Sequence, residues 1–199
     1  VNLYLAEPAL WCLRYVHKIK DTSPMPRAWR GLAVEAGLDS FLYEMDLETA
    51  KQRANRLYHL RSDDYAKKNE GVFASDADKV AELIPAMLAQ AIDATKSWAT
   101  PTTHQVKIQH YVSGVDIPII GYIDYRYPNH VIDLKTTERL PSKPRPDHAR
   151  QVAIYSAATG CAPQLLYVTH RKHALYEIDP APHLADVERA AKAIQHLLT

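Results

Sequence analysis

Two aspartates and a lysine lie close together in residues 121–137, "GYIDYRYPNHVIDLKTT". The segment reads as two strands joined at "YPNH", with Asp124 in the first, Asp133 in the second and Lys135 two residues on. With the turn centred between Pro128 and Asn129, Asp124 faces Asp133. Alternation along a strand then puts Lys135 on the face of Asp133. Proline at the second turn position suits a type I turn, which often brings a bulge, and a bulge would shift the register by one. Facing carboxylates repel, and a cation makes the arrangement favourable. Hard oxygen ligands suit Mg²⁺ or Mn²⁺, and such an ion can polarise a phosphate oxygen and lower the pKa of a bound water. The chemistry on offer is a metal held against a phosphodiester, with lysine beside it. A solvated hairpin face carrying an ordinary Asp–Lys pair accounts equally well for the hairpin alone.

The flanking elements must position these groups. Residues 7–20 have helical periodicity, with Leu10, Leu13 and Val16 on one face, and "DTSPMP" breaks the chain. Helices are expected over 28–43 and from Asp46. A longer one is expected over 75–98, capped by Ser75 and bent at Pro85. At Pro101 the texture changes. "HQVKIQHYV" alternates as a strand, and two more strands follow "SGVD". "SKPRP" is a basic loop, and "DHARQVAIYSAAT" is a helix capped by Asp147 and stopped by Gly160. "QLLYVTH" and "HALYEI" are short strands before a last helix carrying Val187, Ala190, Ile194 and Leu197. A mixed sheet covered by helices accommodates this order in one domain over 1–199, with 1–100 mainly helical and 101–199 forming the sheet core.

Composition narrows the chemistry. The 199 residues carry a net charge of +1, so a nucleic-acid surface must be a local patch. The two cysteines, Cys12 and Cys161, form no CxxC, so the sequence signals neither a zinc site nor a disulfide framework. No GxxxxGK loop supports ATP hydrolysis, and no GxSxG elbow supports a serine hydrolase. His170 and His173 flank "RK" without further zinc ligands that can be placed. No apolar run is long enough for a bilayer, and the residues from Val1 show no charged-then-apolar leader, so a cytoplasmic setting is expected.

Two further segments favour the metal reading. "RGLAVEAG" places Glu35 four residues after Gly31 on a helix, and "RQVAIYSAA" places Gln151 and Tyr155 on one helical face. In order, the chain holds Gly31 to Glu35, Gly121 to Asp124, Asp133–Leu134–Lys135 with Thr136 and Thr137, and Gln151 to Tyr155. This pattern resembles the PD-(D/E)XK nuclease superfamily, specifically its RecB-like exonuclease branch, and "WCLRYVHKIK" resembles that branch's opening helix. The motifs are weak singly and strong in this order and spacing.

The resemblance implies an α/β fold with a restriction-endonuclease-like core, a central mixed sheet flanked by helices and a helical N-terminal half. It implies a Mg²⁺- or Mn²⁺-dependent DNA exonuclease of recombination or repair, of the kind found in phages or bacteria. Asp124, Asp133, the backbone carbonyl of Leu134 and Glu35 would hold one or two ions. Lys135 would be the catalytic lysine, with Gln151 and Tyr155 positioning it, the water or the DNA strand. An endonuclease or end trimmer of the same fold, or a non-cutting DNA-binding subunit, are the alternatives. Some relatives hold an iron–sulphur cluster through one early and three late cysteines. Here only Cys161 is late, so no cluster is expected and Cys12 reads as a packed core residue. Arg27, Trp29 and Arg30 could hold a terminal phosphate and stack a base, or be core tryptophan and surface arginines. Lys143, Arg145, Arg150, Arg171 and Lys172 are candidate backbone contacts on DNA, or a solvated surface. A single-strand annealing or recombination protein is a reasonable partner.

Overall fold

Prolines open much of the helical half of the chain. The computed structural model describes residues 1–19, 25–44 and 46–198. Helices α1 (Asn2–Ala6), α2 (Pro8–Tyr15), α3 (Pro26–Glu44), α4 (Leu47–Lys68), α5 (Ala77–Ala81) and α6 (Ile84–Thr95) precede the sheet. Pro8, Pro26 and Pro85 lie in first turns, where a missing N–H costs no hydrogen bond. The long helix expected over 75–98 is therefore two. Pro85 starts α6 instead of bending a continuous helix, and Asp76 rather than Ser75 stands at the N-cap of α5. Asp46 caps α4, accepting the Thr49 N–H at 3.0 Å.

The first helix also departs from its expected packing. Leu10, Leu13 and Val16 are exposed, while Trp11 is buried and meets Tyr4 edge-on at 5.5 Å. Cys12 is half-buried beside it, not a core residue. Most of the expected break at "DTSPMP" falls outside the described residues.

The sheet has the order β1-β2-β3-β4-β5, from β1 (Thr103–His110), β2 (Ile119–Arg126), β3 (His130–Thr136), β4 (Ala162–Val168) and β5 (His173–Glu177). Only β3 and β4 run parallel, joined by α7 (Pro146–Thr159); the other neighbours are antiparallel. Helix α7 begins at Pro146 with Arg145 at the N-cap, so Asp147 lies in the first turn rather than at the cap. Gly160 ends it with φ 73°, a left-handed conformation that costs glycine little. Helix α8 (Pro180–Leu198) buries Val187 and Ala190, whereas Leu197 is exposed.

Apolar side chains close the sheet on both faces. Leu38, Tyr58, Met87 and Leu88 from α3, α4 and α6 pack with Tyr125, Ile132, Leu134 and Leu166. Val152, Tyr155 and Val187 from α7 and α8 pack with Ile108, Ile123, Val131 and Leu165. Regular alternation would put Ile123 and Tyr125 on one face. Instead they join opposite cores, so β2 changes face at Asp124. On β1 the corresponding position is Gln105, flanked by the pairs His104↔Tyr125 and Val106↔Ile123. Its φ of 51° is the left-handed region that non-glycine residues seldom adopt.

Candidate active site

The β2–β3 hairpin turns tightly at Pro128 and Asn129, with the Tyr127 N–H on the His130 carbonyl at 2.9 Å. The pairs Tyr125↔Ile132 and Arg126↔Val131 follow, which is the register without a bulge. Beyond them the irregularity at Asp124 takes over. Asp124 Oδ2 accepts the backbone N–H of Leu134 at 2.8 Å, so a side chain occupies a place that a ladder carbonyl would fill.

Asp133 is fully buried, and its Oδ2 lies 2.6 Å from Lys135 Nζ. Neither of its oxygens has a hydrogen bond of ordinary geometry; Oδ2 is held as an ion pair and Oδ1 has no partner. Asp133 and Lys135 stand level with Leu165 and Tyr167 on β4, on the side covered by α7. From the other side α3 brings Glu35, whose Oε1 accepts a hydrogen bond from Gln105 Nε2. A cleft of about 440 Å³ contains Glu35, Gln105, Gly121, Asp124, Gln151 and Tyr155. Gln151 Nε2 and the Tyr155 hydroxyl are 2.6 Å apart, which joins the two helical residues picked out by their spacing.

The electrostatics are those of crowded, desolvated acids. Burial raises the Glu35 carboxyl to about 7, with Asp39 and Asp133 adding to the effect. Burial also pushes Asp124 well above the ordinary carboxylate range, helped by the charges of Asp133 and Glu35. Asp133 is raised by burial, with Lys135 opposing. Burial works against the Lys135 ammonium, yet Asp133, Asp124 and Glu35 together outweigh it and raise its pKa. Lys135 is thus a cation at neutral pH.

Three residues here escaped the motif pattern. Gln105 sits in an ordinary-looking strand, and only its backbone conformation reveals it. Asp39, four residues after Glu35 on α3, was detectable by helical spacing. Its buried Oδ1 has no partner, and burial raises its pKa. His148 places Nδ1 2.7 Å from the Tyr167 hydroxyl, opposite Lys135 in the strand register. Burial first, then the Lys135 charge, lowers it to about 4, so it is neutral at pH 7.

The basic residues picked from the sequence separate. Arg30 is buried, with Nη2 3.2 Å from the Thr136 carbonyl and Nη1 unpartnered. Trp29 packs beside Tyr58 and Tyr65 at 6.2 and 5.7 Å. Both therefore face inward, and of this trio only Arg27 is exposed, paired with Glu138 at 2.9 Å. Arg145 is paired with Asp147 at 2.9 Å, and Arg150 turns to Asn2 and Asp186. Lys143 is exposed.

The acids satisfy the chemistry of a hard divalent cation, since Asp133 presents a buried carboxylate oxygen with no partner among raised neighbouring carboxyls. Among the described residues no group of three or more His, Cys, Asp or Glu side chains stands ready to hold a metal. One oxygen of each acid is engaged within the protein: Asp124 by Leu134, Asp133 by Lys135 and Glu35 by Gln105.

The model of the PD-(D/E)XK nuclease superfamily matches residues 1–196. The chain belongs to this superfamily. PD-(D/E)XK nucleases generally use divalent metal ions. A crystal structure of a "putative exonuclease" from Eubacterium rectale resembles the chain with a TM-score of 0.52 at 13% identity, covering 92% of this chain and 70% of that one. At that identity the likeness shows the fold alone. The structure of SSO0001 covers 94% of this chain and 85% of its own, with 17% identity and a TM-score of 0.39. No curated protein matches the sequence. Among the described residues no helix is long and apolar enough to cross a membrane.

Proposed function

We propose that the chain is a metal-dependent deoxyribonuclease that hydrolyses phosphodiester bonds, acting from DNA ends. The observation that carries this reading is the buried Asp133 with its bare Oδ1 and Lys135 2.6 Å from its other oxygen, beside Asp124 and Glu35. Asp124, Asp133 and Glu35 would hold Mg²⁺ or Mn²⁺. The Leu134 carbonyl would join them, because the N–H and C=O of a strand residue point to the same side and its N–H already meets Asp124. A bound divalent cation supplies a Lewis acid that polarises a phosphate oxygen and acidifies water.

The protein's own groups supply the rest. Lys135, kept protonated by three carboxylates, would donate to the oxygens on which negative charge grows during attack. Its pairing with Asp133 keeps the ammonium in place before substrate arrives. Gln151 and Tyr155 hold each other and would position the strand at the cleft.

Action from ends is supported by the Gln151–Tyr155 helix, which resembles the RecB-like branch. The Eubacterium rectale structure, that of a "putative exonuclease", is consistent with it. With Trp29 and Arg30 turned inward, a terminal phosphate would have Arg27 alone from that segment. A place in recombination or repair, beside an annealing protein, fits this activity.

The deciding experiment incubates the protein with end-labelled linear duplex, single strands and covalently closed circles, with Mg²⁺, Mn²⁺ or excess EDTA. Linear DNA degraded only with metal, while circles survive, is the expected result. Linearised circles at a comparable rate would make it an endonuclease. Cleavage in excess EDTA would overturn the metal-dependent reading.

A further inference from the structure

A second groove begins where the strand carrying Lys135 ends. Strands β3 and β4 are parallel, with Lys135 level with Tyr167 and the Thr137 N–H on the Val168 carbonyl at 2.8 Å. Beyond the ends of these strands, a cleft of about 640 Å³ lies between residues 138–140 and 169–172. Leu83 and Leu140 line its apolar part, and Arg139, His170, Arg171 and Lys172 its polar part.

We infer that this groove binds the sugar–phosphate backbone of a DNA strand leaving the active site, with Arg139, Arg171 and Lys172 as its phosphate contacts. This rests on the nuclease reading and adds to it the path of the substrate.

Charge is the first reason. Arg27, Arg145 and Arg150 all have carboxylate partners within the protein. None of the ion pairs among the described residues involves Arg139, Arg171 or Lys172. Among the described residues the one acid lining the groove, Glu138, is paired with Arg27. The groove therefore presents three exposed cations that no ion pair among the described residues neutralises, although the whole chain is nearly neutral.

Construction is the second. Thr169 Oγ1 accepts the N–H groups of Arg171 and Lys172 at 3.2 and 3.0 Å, and the Thr169 N–H reaches the Lys172 carbonyl at 2.9 Å. The hydroxyl in turn donates to that carbonyl at 2.9 Å. Both cations thus leave from a fixed turn, so little backbone ordering is lost on binding.

Reach is the third. The turn starts two residues past the level of Lys135 and one strand across, roughly 8 Å away by strand geometry. At about 3.4 Å of helix axis per phosphate of a strand, that is on the order of two nucleotides.

The test is fluorescence anisotropy with a labelled single strand of about 20 nucleotides, long enough to span site and groove, in EDTA so that nothing is cut. The double variant Arg171→Ala/Lys172→Ala is expected to lower the slope of log K against log salt by about 1.4, a loss of roughly 20-fold in affinity near 0.1 M salt. Arg139→Ala is expected to lower the slope by about 0.7. The control pair Arg61→Ala/Lys67→Ala removes the same charge from exposed positions on α4 and is expected to leave the slope unchanged. An unchanged slope in the groove variants, or an equal fall in the control pair, would overturn the groove. Cleavage by wild-type protein in Mn²⁺ is scored separately. Cutting with an unchanged slope refutes the groove and keeps the nuclease; slope loss without cutting keeps the groove and refutes the nuclease.

Discussion

A Cβ built at Gly121 would lie 2.7 Å from Cε1 of Tyr155. The glycine that opens the β2 motif and the tyrosine that closes the α7 motif are therefore one contact: the strand is bare where the ring crosses it. A ring edge on a packed helix cannot yield as a flexible chain end would. Gly121→Ala is expected to cost about 1–3 kcal/mol by overpacking and to separate the Tyr155 hydroxyl from Gln151. A double-mutant cycle with Tyr155→Ala, read by urea unfolding, checks it. The two substitutions should be less than additive in cost, because removing the ring removes the clash.

Asp133→Asn should abolish cleavage while the fold survives. Its carboxylate is buried, and burial raises its pKa by more than the Lys135 pair lowers it, so on balance its charge opposes folding when no metal ion is bound. In EDTA the variant is expected to melt at or above the wild-type temperature. Mg²⁺ should raise the melting temperature of wild type by mass action and leave the variant unmoved. Thermal melts at several Mg²⁺ concentrations measure both, and full activity in the variant would remove Asp133 from the mechanism.

Lys135→Ala is expected to lower turnover by roughly a hundredfold or more, the scale seen when a donor to a developing oxyanion is removed. DNA binding should fall much less, because one phosphate contact among several is lost. Single-turnover rates beside anisotropy separate the two. Equal losses in both would reduce Lys135 to a plain phosphate contact.

Glu35 makes the metal-free protein sensitive to pH. Its folded carboxyl titrates at about 7 against 4.5 when unfolded, with burial the main cause. Between those values the folded state holds more protons than the unfolded state, so this group's contribution to stability falls as pH rises. Neutral His148, lowered to about 4 from 6.5, acts with the opposite sign over much of the same window. The comparison that isolates Glu35 is therefore Glu35→Gln against wild type in EDTA, since His148 is common to both. The stability advantage of the variant is expected to grow from pH 4.5 to 7 and then level off, reaching at most about 3 kcal/mol. A difference independent of pH would show that Glu35 does not titrate in this window.

Local chemistry carried much of this protein's design into its sequence. The turn at Pro128–Asn129 set a two-residue hairpin and with it the pairs Tyr125↔Ile132 and Arg126↔Val131. Period-two alternation put Asp133 and Lys135 on one face, and helical spacing joined Gln151 to Tyr155. These relations span a few residues, so their geometry follows from backbone periodicity alone. Contacts between distant segments settled the rest. The change of face at Asp124, and the left-handed backbone of Gln105 across from it, arise where two cores pull one strand to opposite sides. Whether Arg30 met solvent or Thr136 depended on how α3 lies along β3. The free cations of the groove could be told from the paired ones only after Glu138 and Asp186 had found Arg27 and Arg150 across the fold. A charge's worth is set by its nearest opposite charge, and when that partner is a hundred residues away along the chain, packing alone brings it near.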